Sequence, residues 1–68
     1  MFEKLRQIRT ERGIPARKMA ELLGLETEAA YYKKETGTVK FTLIEAKTIA
    51  DYLKKPIEAV FFTEEISQ

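Results

Sequence analysis

The 68-residue sequence contains no cysteine, no histidine and no tryptophan, and only two prolines and three glycines. Without cysteine it can form neither a disulfide framework nor a thiolate metal site. Without histidine it lacks the side chain that most readily serves as a general base near neutral pH. Its Ser, Thr and Tyr hydroxyls are scattered with no base beside them, and the carboxylate pair Glu64 and Glu65 stands alone near the carboxyl end. An enzyme is therefore not expected, and no catalytic residue, metal or cofactor is assigned. The chain also lacks any apolar run approaching the ~20 residues of a membrane span. Nor does an apolar signal stretch precede the charged segment that follows Met1. The expectation is a cytoplasmic protein with no membrane contact. Internal repeats, low-complexity tracts and glycine-rich phosphate loops are missing too.

What is there is a balance suited to one small folded module: 44% hydrophobic and 34% charged residues, too apolar for a disordered tail. The net charge of +1 is too small for binding a polyanion through bulk charge, but the charge is unevenly placed. Residues 1–18 carry Lys4, Arg6, Arg9, Arg12, Arg17 and Lys18 against Glu3 and Glu11, and residues 33–40 add Lys33, Lys34 and Lys40 against Glu35. From Pro56 onward only Glu58, Glu64 and Glu65 are charged. A basic face and an acidic end fit a polyanion-binding surface held apart from a second surface. An ordinary mixed surface is the plainer reading of the same charges.

Gly13 with Pro15, Gly24, Gly37 and Pro56 punctuate the chain into short segments, each with helical patterning. In the first, Phe2, Leu5, Ile8 and the stem of Arg9 recur at helical spacing and turn inward, and Gly13 ends the helix. Pro15 suits the start of a second helix whose inner face is Met19, Ala20, Leu22 and Leu23, with Ile14 packing on Met19 and Gly24 as the stop. Thr27 is the expected N-cap of a third helix that runs to Gly37 around an inward Tyr31. Thr42 and Glu45 form a capping box for the fourth, with Phe41 as the staple residue and Ile44, Ile49, Ala50 and Leu53 as its buried stripe. Pro56 opens a fifth helix with Ile57, Val60 and Phe61. The expected fold is all-α, a compact bundle of five helices. Residues 1–62 form the domain, and residues 63–68 form a short acidic C-terminal tail.

Two short helices joined by a tight turn, the second with small residues at its start and basic ones at its end, make a helix-turn-helix pattern. The stretches LRQIRTERG (5–13), MAELLG (19–24), YYKKETG (31–37) and IADYLKKPIEAVF (49–61) together resemble the Cro and phage-repressor type of regulator, the XRE family. The likeness spans nearly the whole chain. It implies a lambda-repressor-like five-helix domain that binds operator DNA through its third helix, usually as a homodimer, and regulates transcription. The chain looks like the small regulators of phages and mobile elements.

Carried onto this sequence, the resemblance implies a structural salt bridge between Arg9 and Glu35. Its base-reading positions fall on Glu28, Ala29, Tyr32 and Lys33, and its phosphate contacts on Arg17 and Lys40, with Thr27 at the helix start also placed against DNA. Lys34 stands where many members are apolar, so its stem should pack while its ammonium reaches water. The sequence departs from the family where Pro15 and Ala16 replace a polar cap and a glutamine. It also inserts one extra residue in the turn, leaving Leu25 and Glu26 between Gly24 and Thr27, and sets Glu26 and Glu28 where phosphates or bases should approach.

A stand-alone regulator is expected, with no ligand-sensing domain, acting as a symmetric dimer on an inverted repeat. Val60, Phe61, Phe62 and Ile66 are the candidate dimer contacts. The acidic residues of the groove-facing helix support a different class of function as well: a protein-binding module such as an antirepressor or an antitoxin-like partner.

Overall fold

The computed structural model describes residues 2–61. They form four α-helices, α1 (Glu3–Glu11), α2 (Ala16–Leu22), α3 (Glu28–Glu35) and α4 (Leu43–Leu53), followed by a single 3-10 turn at Ile57–Ala59. The fold is all-α, and the expected fifth helix is this one turn. Pro56 does precede it, but Val60 and Phe61 already close back onto the Ile57 carbonyl, which leaves no length for an α-helical ladder.

Local chemistry accounts for the helix boundaries. Gly13, Gly24 and Gly37 have φ of +68°, +73° and +91°, the left-handed region that ends a helix at little cost only for glycine. At the other ends, Thr27 accepts a hydrogen bond from the Ala30 amide (3.1 Å). Thr42 accepts from Glu45 N (3.1 Å) while Glu45 Oε1 accepts from Thr42 N (2.9 Å), a complete capping box. α4 ends differently, with Lys54 taking the left-handed conformation (φ 59°) and the Arg12 guanidinium donating to the Leu53 carbonyl at 2.9 Å.

The core draws on every element. Leu5 and Ile8 of α1, Ala16, Met19 and Ala20 of α2, Tyr31 of α3, and Ala46, Ile49, Ala50 and Leu53 of α4 are buried, with Leu22 and Leu23 half-buried at its edge. Its centre is a cluster of three rings, Phe2, Phe41 and Phe61, whose centroids lie 5.1 to 5.5 Å apart, edge to face. They come from the first residues, the α3–α4 loop and the segment after the 3-10 turn. The cluster therefore fastens both ends of the described chain to its middle.

Two sequence-based expectations change here. Ile44 is not part of the buried stripe of α4; it is 79% exposed. It precedes Ile49 by five residues, roughly 140° around the helix, so it shares a face with Lys47, Thr48 and Asp51 rather than with the core. Val60 and Phe61, expected at a dimer contact, are 3% and 2% exposed and pack in the core of the chain itself. Phe62 and Ile66 lie outside the described residues.

Candidate nucleic-acid interface

α3 has one face fixed in the core and the opposite face free, and the fixed face is held by ions as well as by packing. Glu35 Oε2 accepts hydrogen bonds from Arg9 Nε (2.9 Å) and from the Tyr31 hydroxyl (2.7 Å), and Glu35 Oε1 accepts from Arg9 Nη2 (3.2 Å). Arg9 Nη1 donates in turn to the Ile14 carbonyl at 3.0 Å, in the turn before α2. Arg9, Tyr31 and Glu35 are all buried. The fork-to-fork geometry fixes the direction of approach, so the network sets how α3 is rotated against α1 and the α1–α2 turn. Its hydrogen bond to Glu35 outweighs burial and raises the Arg9 pKa, so the guanidinium stays charged. Burial, reinforced by the bond to Glu35, pushes the Tyr31 hydroxyl far above its usual range.

That shift carries a prediction. A tyrosine in the unfolded chain ionises near pH 10, whereas folded Tyr31 keeps its proton well beyond that. The unfolded state alone gains from ionisation, so this contribution is complete below about pH 10 and declines as the pH rises further. Urea unfolding between pH 9 and 11.5 should show stability falling with pH, and Tyr31→Phe should flatten the fall; an unchanged slope would contradict the assignment.

On the free face, Ala29, Lys33 and Thr36 follow one another at spacings of four and three and form an exposed ridge opposite Tyr31 and Glu35. Glu28 and Tyr32 run along one edge of the ridge, both exposed. The Arg9 guanidinium carbon sits 5.9 Å from the Tyr32 ring centroid, so the buried cation also steadies a ring that reaches solvent. Thr27 is exposed at the N-cap, with its oxygen occupied by the Ala30 amide. The small side chain of Ala29 leaves the start of the ridge open to close approach.

The other basic residues stand on elements that neighbour α3 in the chain. Lys40 is exposed in the loop after α3, a loop tied down where Val39 N donates to the Lys33 carbonyl (3.0 Å). Arg17 is exposed in the first turn of α2, which packs against α3. Among the described residues no ion pair holds Arg17, Lys33 or Lys40. Lys34 is half-buried, and its ammonium donates to Glu45 Oε1 (3.0 Å) and to the Lys40 carbonyl (3.2 Å). Burial opposes ionisation of Glu45, yet the Thr42 amide and the Lys34 ammonium together hold its carboxyl below the usual range. The end of α3, the loop bearing Lys40 and the start of α4 are thereby joined in one polar contact.

The α2–α3 turn is partly buried. The Leu25 amide donates to the Ala20 carbonyl (2.8 Å) and its side chain packs on the core, leaving Glu26 exposed before the Thr27 cap. Four features were not singled out in the sequence: the Arg12 tie to α4, the Lys34–Glu45 contact, the packing of Arg9 on Tyr32, and Thr36 on the ridge. Only the paired spacing of Thr36 with Ala29 and Lys33 was visible in advance.

No helix among the described residues is long and apolar enough to cross a membrane. A family model described as helix-turn-helix matches residues 5–60, from the first core leucine to the start of the Phe61 closure. No curated protein and no solved structure matches significantly.

Proposed function

The chain belongs to the Cro/C1-type helix-turn-helix family of DNA-binding regulators, and from that premise we propose that it is a sequence-specific transcriptional regulator of the phage Cro or repressor kind. The observation that carries the reading is the exposed ridge of α3, bearing Lys33, with free Lys40 and Arg17 on neighbouring elements and a buried ion network behind it that fixes its rotation. In this reading α3 enters the major groove. Ala29 presents a methyl suited to thymine, and Glu28 a carboxylate suited to the amino group of cytosine. Tyr32 and Lys33 reach base edges or phosphates, while Thr27, Arg17 and Lys40 contact the backbone. The inverted-repeat operator and the homodimer are part of the proposal, and Val60 and Phe61 stand in the core of the chain.

Selection from a random duplex library at moderate salt tests this directly. An enriched inverted repeat with half-sites one helical turn apart, roughly 34 Å, is the expected result. No enrichment over unbound DNA would sink the reading. On the enriched site, Lys33→Ala and Lys40→Ala should each weaken binding and lower the salt slope by about 1, the signature of a lost phosphate contact. Affinity and slope unchanged in both variants would remove these two residues from the interface.

A second reading is favoured by one specific observation: Glu26 and Glu28 stand exposed at the amino end of the same ridge. There they fit a basic protein surface. A stoichiometric complex with a protein from the native cell, abolished by Glu28→Lys, would support an antirepressor-like or antitoxin-like role.

A further inference from the structure

Of the two rings of α3, Tyr31 is fully buried and Tyr32 is 41% exposed, yet the exposed ring rests on groups that are themselves fixed. The Arg9 guanidinium beneath it, 5.9 Å from carbon to ring centroid, is held by hydrogen bonds to both Glu35 oxygens and to the Ile14 carbonyl. The Tyr31 ring lies beside it at 6.2 Å between centroids, with its own hydroxyl tied to Glu35. The Tyr32 carbonyl accepts from the Thr36 amide and from the Thr36 hydroxyl, each at 2.9 Å, which steadies the backbone as well. The Tyr31 hydroxyl is thus spent, whereas the Tyr32 hydroxyl donates to no group among the described residues.

We propose that Tyr32 is a preset phosphate clamp: the Arg9 guanidinium holds its ring at the edge of α3 so that its hydroxyl donates to one backbone phosphate oxygen of a DNA half-site. The proposal rests on the DNA-binding reading above. Helix geometry favours phosphate over base. Lys33 stands opposite the core, and Tyr32, one residue earlier, is turned from it by roughly 100° toward Arg9 of α1. The major groove is about 12 Å wide, and a helix with its side chains is about 10 to 12 Å across. A helix that directs Lys33 at the floor of the groove therefore turns Tyr32 to its wall, which is sugar and phosphate. Glu28, exposed one turn earlier on the same edge, has the wrong charge for a phosphate, which leaves Tyr32 as the donor on this side. A hydroxyl donating to an anionic oxygen makes a charge-assisted bond, and the cation beneath the ring draws electron density from it and strengthens the donor. Because the ring is already fixed, little rotamer freedom is lost when it binds. Arg9 is then a positioning residue as well as half of a salt bridge, acting through Tyr32 without touching DNA.

The test uses the operator enriched by the wild-type chain and duplexes of it in which one phosphate at a time is replaced by methylphosphonate. Tyr32→Phe keeps the ring and loses the hydroxyl. It should bind the operator about tenfold more weakly, the loss expected for one hydrogen bond to a charged group. Its base preferences and salt slope should match those of wild type, because a hydroxyl neutralises no phosphate. One methylphosphonate in each half-site should weaken the wild-type chain by a similar factor and leave Tyr32→Phe no weaker than before. With the platform removed by Arg9→Met, Tyr31→Phe and Glu35→Leu together, adding Tyr32→Phe should cost less than about threefold, a coupling that a merely structural Arg9 would not produce. Wild-type affinity in Tyr32→Phe, a changed base preference, methylphosphonate losses that add to Tyr32→Phe at every position, or an equal Tyr32→Phe penalty with and without Arg9 would each overturn the inference while leaving operator binding intact. A wild-type chain that enriches no operator would instead remove the DNA-binding reading and this contact with it.

Discussion

Glu35→Ala is expected to destabilise the domain by roughly 3 to 5 kcal/mol, the cost of leaving a buried charge without its partner. Domains of this size have a total stability of only about 3 to 10 kcal/mol, so the variant should be largely unfolded at 37 °C. The reason lies in what is left behind. Arg9 keeps its bond to the Ile14 carbonyl but loses both carboxylate contacts while remaining shielded from water. Tyr31 loses the acceptor for its hydroxyl in the same step. Urea unfolding followed by circular dichroism measures the loss; a change below 1 kcal/mol would mean that water reaches the site and the network is not truly buried. The triple variant Arg9→Met, Tyr31→Phe, Glu35→Leu removes the three polar side chains of the network at once and leaves only the Ile14 carbonyl without its donor. It should be more stable than Glu35→Ala, because no desolvated charge or hydroxyl remains unpaired. The network's contribution is then the specific rotation of α3, and operator affinity of the triple variant, measured under conditions where it is folded, should fall even as its stability recovers.

Phe41→Ala should cost a comparable amount, about 3 to 5 kcal/mol, through a different mechanism. Phe41 is fully buried and its ring meets Phe2 at 5.1 Å, Phe61 at 5.2 Å and Tyr31 at 6.3 Å between centroids. Truncation would open a cavity between the two ends of the described residues and the α3–α4 loop. Phe41→Leu, which restores most of the volume, should lose markedly less, and Tyr52→Ala, on the exposed side of α4, should lie within about 0.5 kcal/mol of wild type. A thermal or urea series of the three ranks them. Equal losses for Phe41→Ala and Tyr52→Ala would show that the ring cluster is not the centre of the core.

Both predictions concern groups that hold α3 and its neighbours in place rather than groups that would touch a ligand, and this bears on how variants should be interpreted. Loss of DNA binding in an Arg9, Tyr31 or Glu35 variant reports on the orientation or population of the folded domain. Loss in Lys33 or Lys40 variants, which stand outside the core and outside any ion pair among the described residues, reports on contact. The salt slope distinguishes them, since only a lost phosphate contact lowers it.

Much of the helical framework was readable from residues near one another in the chain. Gly13, Gly24 and Gly37 mark helix ends because a positive φ is a property of the single residue, and Thr27 and Thr42 mark starts because a cap reaches only three residues along. Tyr31 reads as an anchor from its spacing. The family likeness rested on the same short blocks, and the helix-turn-helix match over residues 5–60 shows the family. Ile44, expected on the buried stripe, precedes Ile49 by five residues and so stands off the face that Ile49 and Leu53 share. The fifth helix was overextended because Pro56 signals a start but nothing nearby signals how soon the chain must turn inward.

What the tertiary structure alone decided is the set of contacts between distant segments. Arg12 and Leu53 lie 41 positions apart and no periodicity links such a pair; Arg9 and Glu35, 26 apart, were joined in advance only by the family likeness, which carried neither the two-pronged geometry nor the tie to Tyr31. Whether Val60 and Phe61 faced a partner or their own core depended on Phe2 and Phe41 arriving at the same place. Helix starts, stops and inner faces follow from backbone sterics and local hydrogen bonds, which act over one turn. Rotation of α3, closure of the ring cluster and exposure of the Leu43–Ile44 face follow from packing, which compares whole surfaces and is settled only when the helices meet.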